Sequence, residues 1–204
     1  MKHDPRTDAA LDLTLSEISA LTTRATRGAG RSWGEAEEAA EAACWLARAG
    51  LDWAGALLEV LQPPEAGADC ALRTGIALAD AAALSGPPNA QRTINSPCFL
   101  LPFGARVADQ TGQRIRVTVA DTQIVLAPGA CPVMAGPGRM SGPAQVTLAP
   151  DQQDQPPCPD WPQTHRGTVL ATEYARLTQL MMAFTVPTSA SSQAGAGAQG
   201  DDND

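Results

Sequence analysis

Apolar positions in the first third of the chain recur at helical spacing, and capping residues bracket each run. Leu15, Ile18, Leu21 and Ala25 fall on one side of a first helix. Thr14 followed by Glu17 forms a capping box, and Leu13 and Ile18 hold the positions of a hydrophobic staple. Gly28 is expected to end this helix in the left-handed conformation. A second helix carries Ala36, Ala40, Ala43 and Ala47 along one side, widened by Cys44 and Leu46. Ser32 and Glu35 make its capping box, and Gly50 stops it. Glu35, Glu37, Glu38 and Glu41 load its first half, where the helix dipole favours negative charge, and Arg48 lies near its end. Asp52 caps a third helix, WAGALLEVLQ, which Pro63 and Pro64 end. A fourth runs from Asp69 to about Leu84, weakened by about 1 kcal/mol at Gly75. Ser96 and Pro97 can start a fifth, but Pro102 predicts either a broken helix or one that begins near Pro102.

The period then changes. Ile115, Val117 and Val119 alternate with Arg114, Arg116 and Thr118, the pattern of a strand with one solvated face. TQIVLAP is the return strand after a turn at Asp121 and Thr122, and AQVTLA is a third short strand. Three strands need helices to cover their apolar face. Two Gly- or Pro-rich stretches, PGACPVMAGPGRMSGP and PDQQDQPPCPDWPQTH, read as loops. Leu170, Tyr174, Leu177, Met181 and Phe184 then lie on one face of a last, amphipathic helix that ends before Pro187. The fold expected is α+β: an N-terminal helical bundle, a small antiparallel β-sheet, then a C-terminal amphipathic helix. The divisions are a flexible leader at 1–12, the bundle at 13–110, and the sheet with its helix at 111–187. A Gly/Asp-rich segment closes the chain at 188–204.

Composition narrows the function classes. Aromatic residues are only 4% of the 204 positions, so the core should hold closely packed small residues around anchors such as Trp33, Trp45 and Trp53. A formal charge of -8 without a basic cluster speaks against nucleic acid and anionic membranes as partners. No apolar run approaches the ~18 residues of a membrane span, and the start lacks a signal-type apolar segment. Cys44, Cys70, Cys98, Cys131 and Cys158 are scattered, without a CxxC pair, which fits reduced thiols in a cytoplasmic protein.

Candidate chemistry is sparse. His165, the one histidine outside the leader, has the chemistry of a general base, but the plainer reading is a partly exposed loop or cap histidine. Cys98 sits at an expected helix start, which would lower its pKa, although a buried thiol would be inert. The GPGRMSG stretch could offer backbone N–H groups and Arg139 to an anion, but it lacks the phosphate-loop Lys-Ser/Thr pair. Asp201, Asp202 and Asp204 near the C-terminus are hard oxygen ligands without the spacing of a calcium loop. The metal, if any, and any cofactor stay unidentified.

Two stretches carry a family resemblance. RATRGAG…WGEAEEAAEAACWLARAGLD opens it, and AGAGAQGDDND closes it. With Val186, Pro187, Ser189 and Ser191 before the Gly195–Ala198 turn, the chain from about 13 to 204 resembles the bacterial family catalogued as domain of unknown function 3726. The resemblance implies that the tail docks on the body, where composition alone gives a solvated end. Gly195 and Gly197 would turn the backbone, and Asp202, Asn203 and Asp204 would meet helix N-termini, an arginine or a metal. The sequence departs from the family pattern between Pro187 and Gly195, where TSASSQA lacks the usual Glu and Ser-Arg pair. The opening helix pair is also similar to the malate/lactate dehydrogenase family unrelated to Rossmann enzymes, but the histidine-bearing segment expected next is absent.

Two function classes follow. One is a cytoplasmic accessory protein that binds a protein partner or a small metabolite. The other is a small-molecule hydrolase or lyase using His165, Ser189 or Ser191, and the terminal aspartates.

Overall fold

The structure is a computed structural model that describes residues 9–136, 140–152, 159–161 and 165–184. These residues form an α+β fold with antiparallel sheets. The two capping boxes form as read. Thr14 caps α1 (Leu15–Gly28) and Ser32 caps α2 (Trp33–Arg48), each exchanging bonds with the glutamate three residues on. Asp52 Oδ1 accepts from Gly55 N at 2.8 Å and starts α3 (Trp53–Leu61). The left-handed residue after α1 is Gly30 (φ 81°), not Gly28. Gly28 is the last helical residue, and its role is spacing. A Cβ there would lie 1.7 Å from the Leu180 carbonyl oxygen of α6 (Ala171–Phe184). Sequence showed a stop signal; the partner that makes glycine obligatory lies 152 positions away.

Helix α4 (Ala71–Ser85) packs against α5 (Pro97–Thr111). Gly75, unfavourable in a helix by itself, lets the Phe103 ring reach the α4 backbone: a Cβ would meet that ring at 2.3 Å. The expectation of a broken fifth helix is corrected. Pro102 lies inside a continuous α5, although it cannot donate to the Cys98 carbonyl. Phe99, Leu100, Leu101, Phe103 and Val107 on the same helix are all essentially buried. Each such burial is worth about 1.5–3 kcal/mol, so together they exceed the roughly 3 kcal/mol cost of an internal proline.

Five strands form one antiparallel sheet in the order β2-β6-β3-β4-β5: β2 (Ala90–Ile94), β6 (Ala144–Pro150), β3 (Ile115–Val119), β4 (Thr122–Leu126) and β5 (Val133–Ala135). The three strands legible in sequence are its centre, and β2 and β5 add its edges. The β3–β4 turn is Ala120–Asp121, with Ala120 at φ 48°, and Thr122 already belongs to the strand. Helix α5 covers the apolar face, touching Val117 and Leu126 at Gly104. Just after β6, the Asp151 side chain is fully buried and takes ion pairs from Arg114 and Arg116.

A separate two-stranded ribbon joins the ends of the described chain. β1 (Ala10–Thr14) pairs with β7 (Arg166–Leu170), register Asp12 to Thr168, and Arg166 Nε meets Asp12 Oδ2 at 2.5 Å. Residues 10–12, read as leader, are therefore strand. Their partner is too distant in sequence to leave a local signal. The same pairing moves Leu170 out of the last helix, which begins at Ala171.

Of the three tryptophan anchors, only Trp53 is fully buried (1% exposed). Trp45 is half-buried, and Trp33 is 57% exposed, lying edge-on to Phe184 with Arg27 over its ring. As the first residue of α2, Trp33 projects from a helix end and not from its packed face.

Glu35 ties α2 to α4. Burial opposes its ionisation, but the Arg73 guanidinium at 2.7 Å and the Ser32 backbone and hydroxyl outweigh that and hold its pKa at about 2. A folded pKa below the unfolded value of 4.5 contributes stability above pH 4.5 that is lost as pH falls toward 2. Glu35→Gln should therefore cost about 1–2 kcal/mol at pH 7 and flatten the acid limb of stability between these values. Urea unfolding across that range checks it; an unchanged acid slope would refute the assignment.

Candidate functional site

The helix that Asp52 caps places Asp52, Ala56 and Glu59 four and three residues apart, on one face of α3. Opposite stands the start of α5. Asn95 and Ser96, just before it, are buried polar residues pinned to the α3 backbone. Ser96 Oγ donates to the Ala56 carbonyl at 3.2 Å, and Asn95 Nδ2 donates to the Glu59 carbonyl at 3.3 Å. Asn95 Oδ1 in turn accepts from Ala71 N at 2.8 Å, which closes the first turn of α4. This fixed corner sets Cys98, the second residue of α5, toward the α3 face.

Residues 140–142 form the third wall. The Met140 carbonyl accepts from Cys98 N at 3.4 Å, and Gly142 N donates to Glu59 Oε1 at 3.0 Å. Between these walls lies a cavity of about 220 Å³ lined by Leu51, Asp52, Ala56, Glu59, Cys98, Met140 and Ser141. Glu59 Oε2 is buried and no donor among the described residues reaches it. A buried acceptor left unsatisfied costs roughly 1–3 kcal/mol, so native proteins seldom leave one without a partner.

Cys98 is not an activated thiol. Burial, then the nearby carboxylates of Asp52 and Glu59, push its pKa up to about 12. The helix-start position read in sequence is real, but burial and like charge overcome the helix dipole. Cys44, in the α2–α5 groove, is also raised, chiefly by burial.

That groove, about 340 Å³, is larger. Its Arg106 already holds Glu38 at 2.6 Å and Glu41 at 2.7 Å. A third cavity, between β7 and the start of α3, shares Leu51 and Asp52 with the first.

Of the residues singled out in sequence, His165 is exposed at the entrance to β7, where its carbonyl accepts from Leu15 N at 2.9 Å. Arg139, Ser189, Ser191, Gly195, Gly197, Asp202, Asn203 and Asp204 lie outside the described residues. Among the described residues, no three His, Cys, Asp or Glu side chains gather as a metal site, and no helix is long and apolar enough to cross a membrane. Sequence reasoning passed over Glu59. The available signal was its isolation: it is the only charged residue in the apolar helix WAGALLEVL.

Residues 13–94 match the family described as Protein of unknown function (DUF3726), the family whose resemblance the sequence carries. The match spans α1 to α4 and β2, and so includes the α3 wall of the cavity but not Cys98 or Met140. No curated protein and no solved structure matches the chain.

Proposed function

We propose that this protein is an accessory protein that binds a small metabolite in the cavity between α3, the start of α5 and residues 140–142. One observation carries the reading. A cavity with apolar walls is also lined by two carboxylate residues, Asp52 and Glu59, and by Ser141, the mixed lining of a small-molecule site. The surrounding hydrogen bonds of Asn95 and Ser96 hold its walls in place before any ligand arrives, which lowers the ordering cost of binding. Cys98 faces this cavity as a protonated thiol, suited to packing and unsuited to nucleophilic attack.

Size limits the ligand. A cavity of about 150 Å³ accommodates benzene, so this one suits roughly nine non-hydrogen atoms. The test uses three probes of about that size: 2-phenylethylamine, 2-phenylethanol and phenylacetate. At millimolar concentration at least one should shift the amide resonances of Cys98, Ser141 and Gly142. Cys98→Met, which narrows the cavity, should weaken the shift. No response to any probe, or an equal response in Cys98→Met, would sink the reading.

A further inference from the structure

The larger groove, between α2 and α5, shares no lining residue with the α3–α5 cavity, and what it binds does not depend on that reading. Among the described residues, four charged side chains border it: Glu41, Arg48, Arg106 and Asp109. Three of them are engaged by the protein. Arg106 holds Glu41 at 2.7 Å and Glu38 at 2.6 Å, and Asp109 Oδ1 accepts from Gly129 N at 2.7 Å. Arg48 is the exception. Its guanidinium donates to no acceptor and pairs with no carboxylate among the described residues. None of its nitrogens is sealed from solvent, so its donors stay open. The uncompensated charge in the groove is therefore positive, on a chain whose formal charge is -8.

Arg48 is also held in place. Its guanidinium carbon lies 4.8 Å from the Trp161 ring centroid, a cation–π contact. Trp161 in turn meets Trp45 edge to face, with 5.4 Å between centroids. Stacking on a ring occupies the face of a guanidinium and leaves its in-plane N–H groups for a partner at its edge. The charge reaches into the groove: burial raises the pKa of Cys44, another lining residue, and the Arg48 charge is the largest influence acting the other way. Trp45 forms a half-buried aromatic wall, and the buried Pro102 and Phe103 form the floor. A guanidinium edge matches the two oxygens of a carboxylate in a bidentate, charge-assisted pair, and an aromatic wall favours a flat ring beside it. Since a cavity of about 150 Å³ accommodates benzene, a groove of about 340 Å³ suits roughly fourteen non-hydrogen atoms. We infer that the α2–α5 groove binds a small aromatic carboxylate, its carboxylate paired with Arg48 and its ring against Trp45 above Pro102 and Phe103.

Titration calorimetry on the full chain with 2-naphthoate, 2-naphthalenemethanol and 2-naphthalenemethylamine tests this. The three share a ring and differ in the charge they carry. Naphthoate should bind about ten- to a hundredfold more tightly than the alcohol, the range of a hydrogen bond to a charged group. The amine should bind most weakly. Arg48→Gln should erase the acid's advantage and leave the alcohol within about threefold of its original affinity. Cys98→Met, which alters only the other cavity, should leave naphthoate binding within about twofold. Alcohol or amine binding as tightly as the acid, an acid preference that survives Arg48→Gln, or no binding of any of the three would overturn the inference. Naphthoate affinity lost in Cys98→Met would place that ligand in the other cavity and overturn it as well. Should Arg48→Gln fail to fold, the ranking on the unaltered chain together with Cys98→Met decides the matter.

Discussion

Replacing Trp53 by Ala should lower the unfolding free energy by about 4 kcal/mol, the largest single-residue effect expected in this protein. Trp53 is 1% exposed and begins α3. Its ring is among the largest side chains fully inside the core, and truncation leaves a cavity that the surrounding helices cannot collapse into without moving. Its indole Nε1 also donates to the Thr168 carbonyl at 2.9 Å, so the side chain ties α3 to the β1–β7 ribbon. Total stabilities are about 5–15 kcal/mol, and Trp53→Ala can therefore fail to fold. Trp53→Phe keeps most of the apolar volume and removes only the donor, and should cost about 2 kcal/mol. Urea denaturation of both variants gives the answer. A loss under about 1 kcal/mol for both would mean that Trp53 is not the link described here.

Gly28→Ala is the second. In a free helix, alanine gains about 1 kcal/mol over glycine. Here the new Cβ would stand 1.7 Å from the Leu180 oxygen and 2.6 Å from its carbon, both backbone atoms of α6. No rotamer relieves that overlap. Either α6 moves or α1 frays at its end. The expected net cost is about 2–3 kcal/mol, the upper part of the range for overpacking. The contrast is Gly30→Ala. Gly30 has φ 81° and open space around its Cβ position, so its cost is conformational and about 1 kcal/mol. Hydrogen exchange should locate the difference: Gly28→Ala should speed exchange in α6, where Leu177 is the one fully buried anchor, and Gly30→Ala should not. A Gly28→Ala protein as stable as the original would show that the helices do not approach at this point.

The cavity makes a similar point about what a residue's neighbours decide. Asp52 was legible as a helix cap, and it is one. That it also borders a cavity follows only from the docking of α5 through Asn95 and Ser96. Cys98 was legible as a thiol near a helix start, where the local dipole would activate it. Packing beside Asp52 and Glu59 reverses the effect. Glu59 carried no motif at all. Its interest comes from Gly142, 83 positions away, which takes one carboxylate oxygen while the other has no donor.

Sequence by itself determined the local events: both capping boxes, the Asp52 cap, the ends of α2 and α3, and the alternating strands β3, β4 and β6. These depend on interactions within about four residues or on a period of two, and both are written in order along the chain. Tertiary structure decided the rest. It turned Gly28 from a stop into a spacer, kept α5 continuous through Pro102, and paired β1 with β7 across the length of the described chain. It also assembled the cavity from three separate segments. Close packing and pairing energies come from residues far apart in sequence. They outweigh local preferences of about 1–3 kcal/mol wherever enough surface is buried.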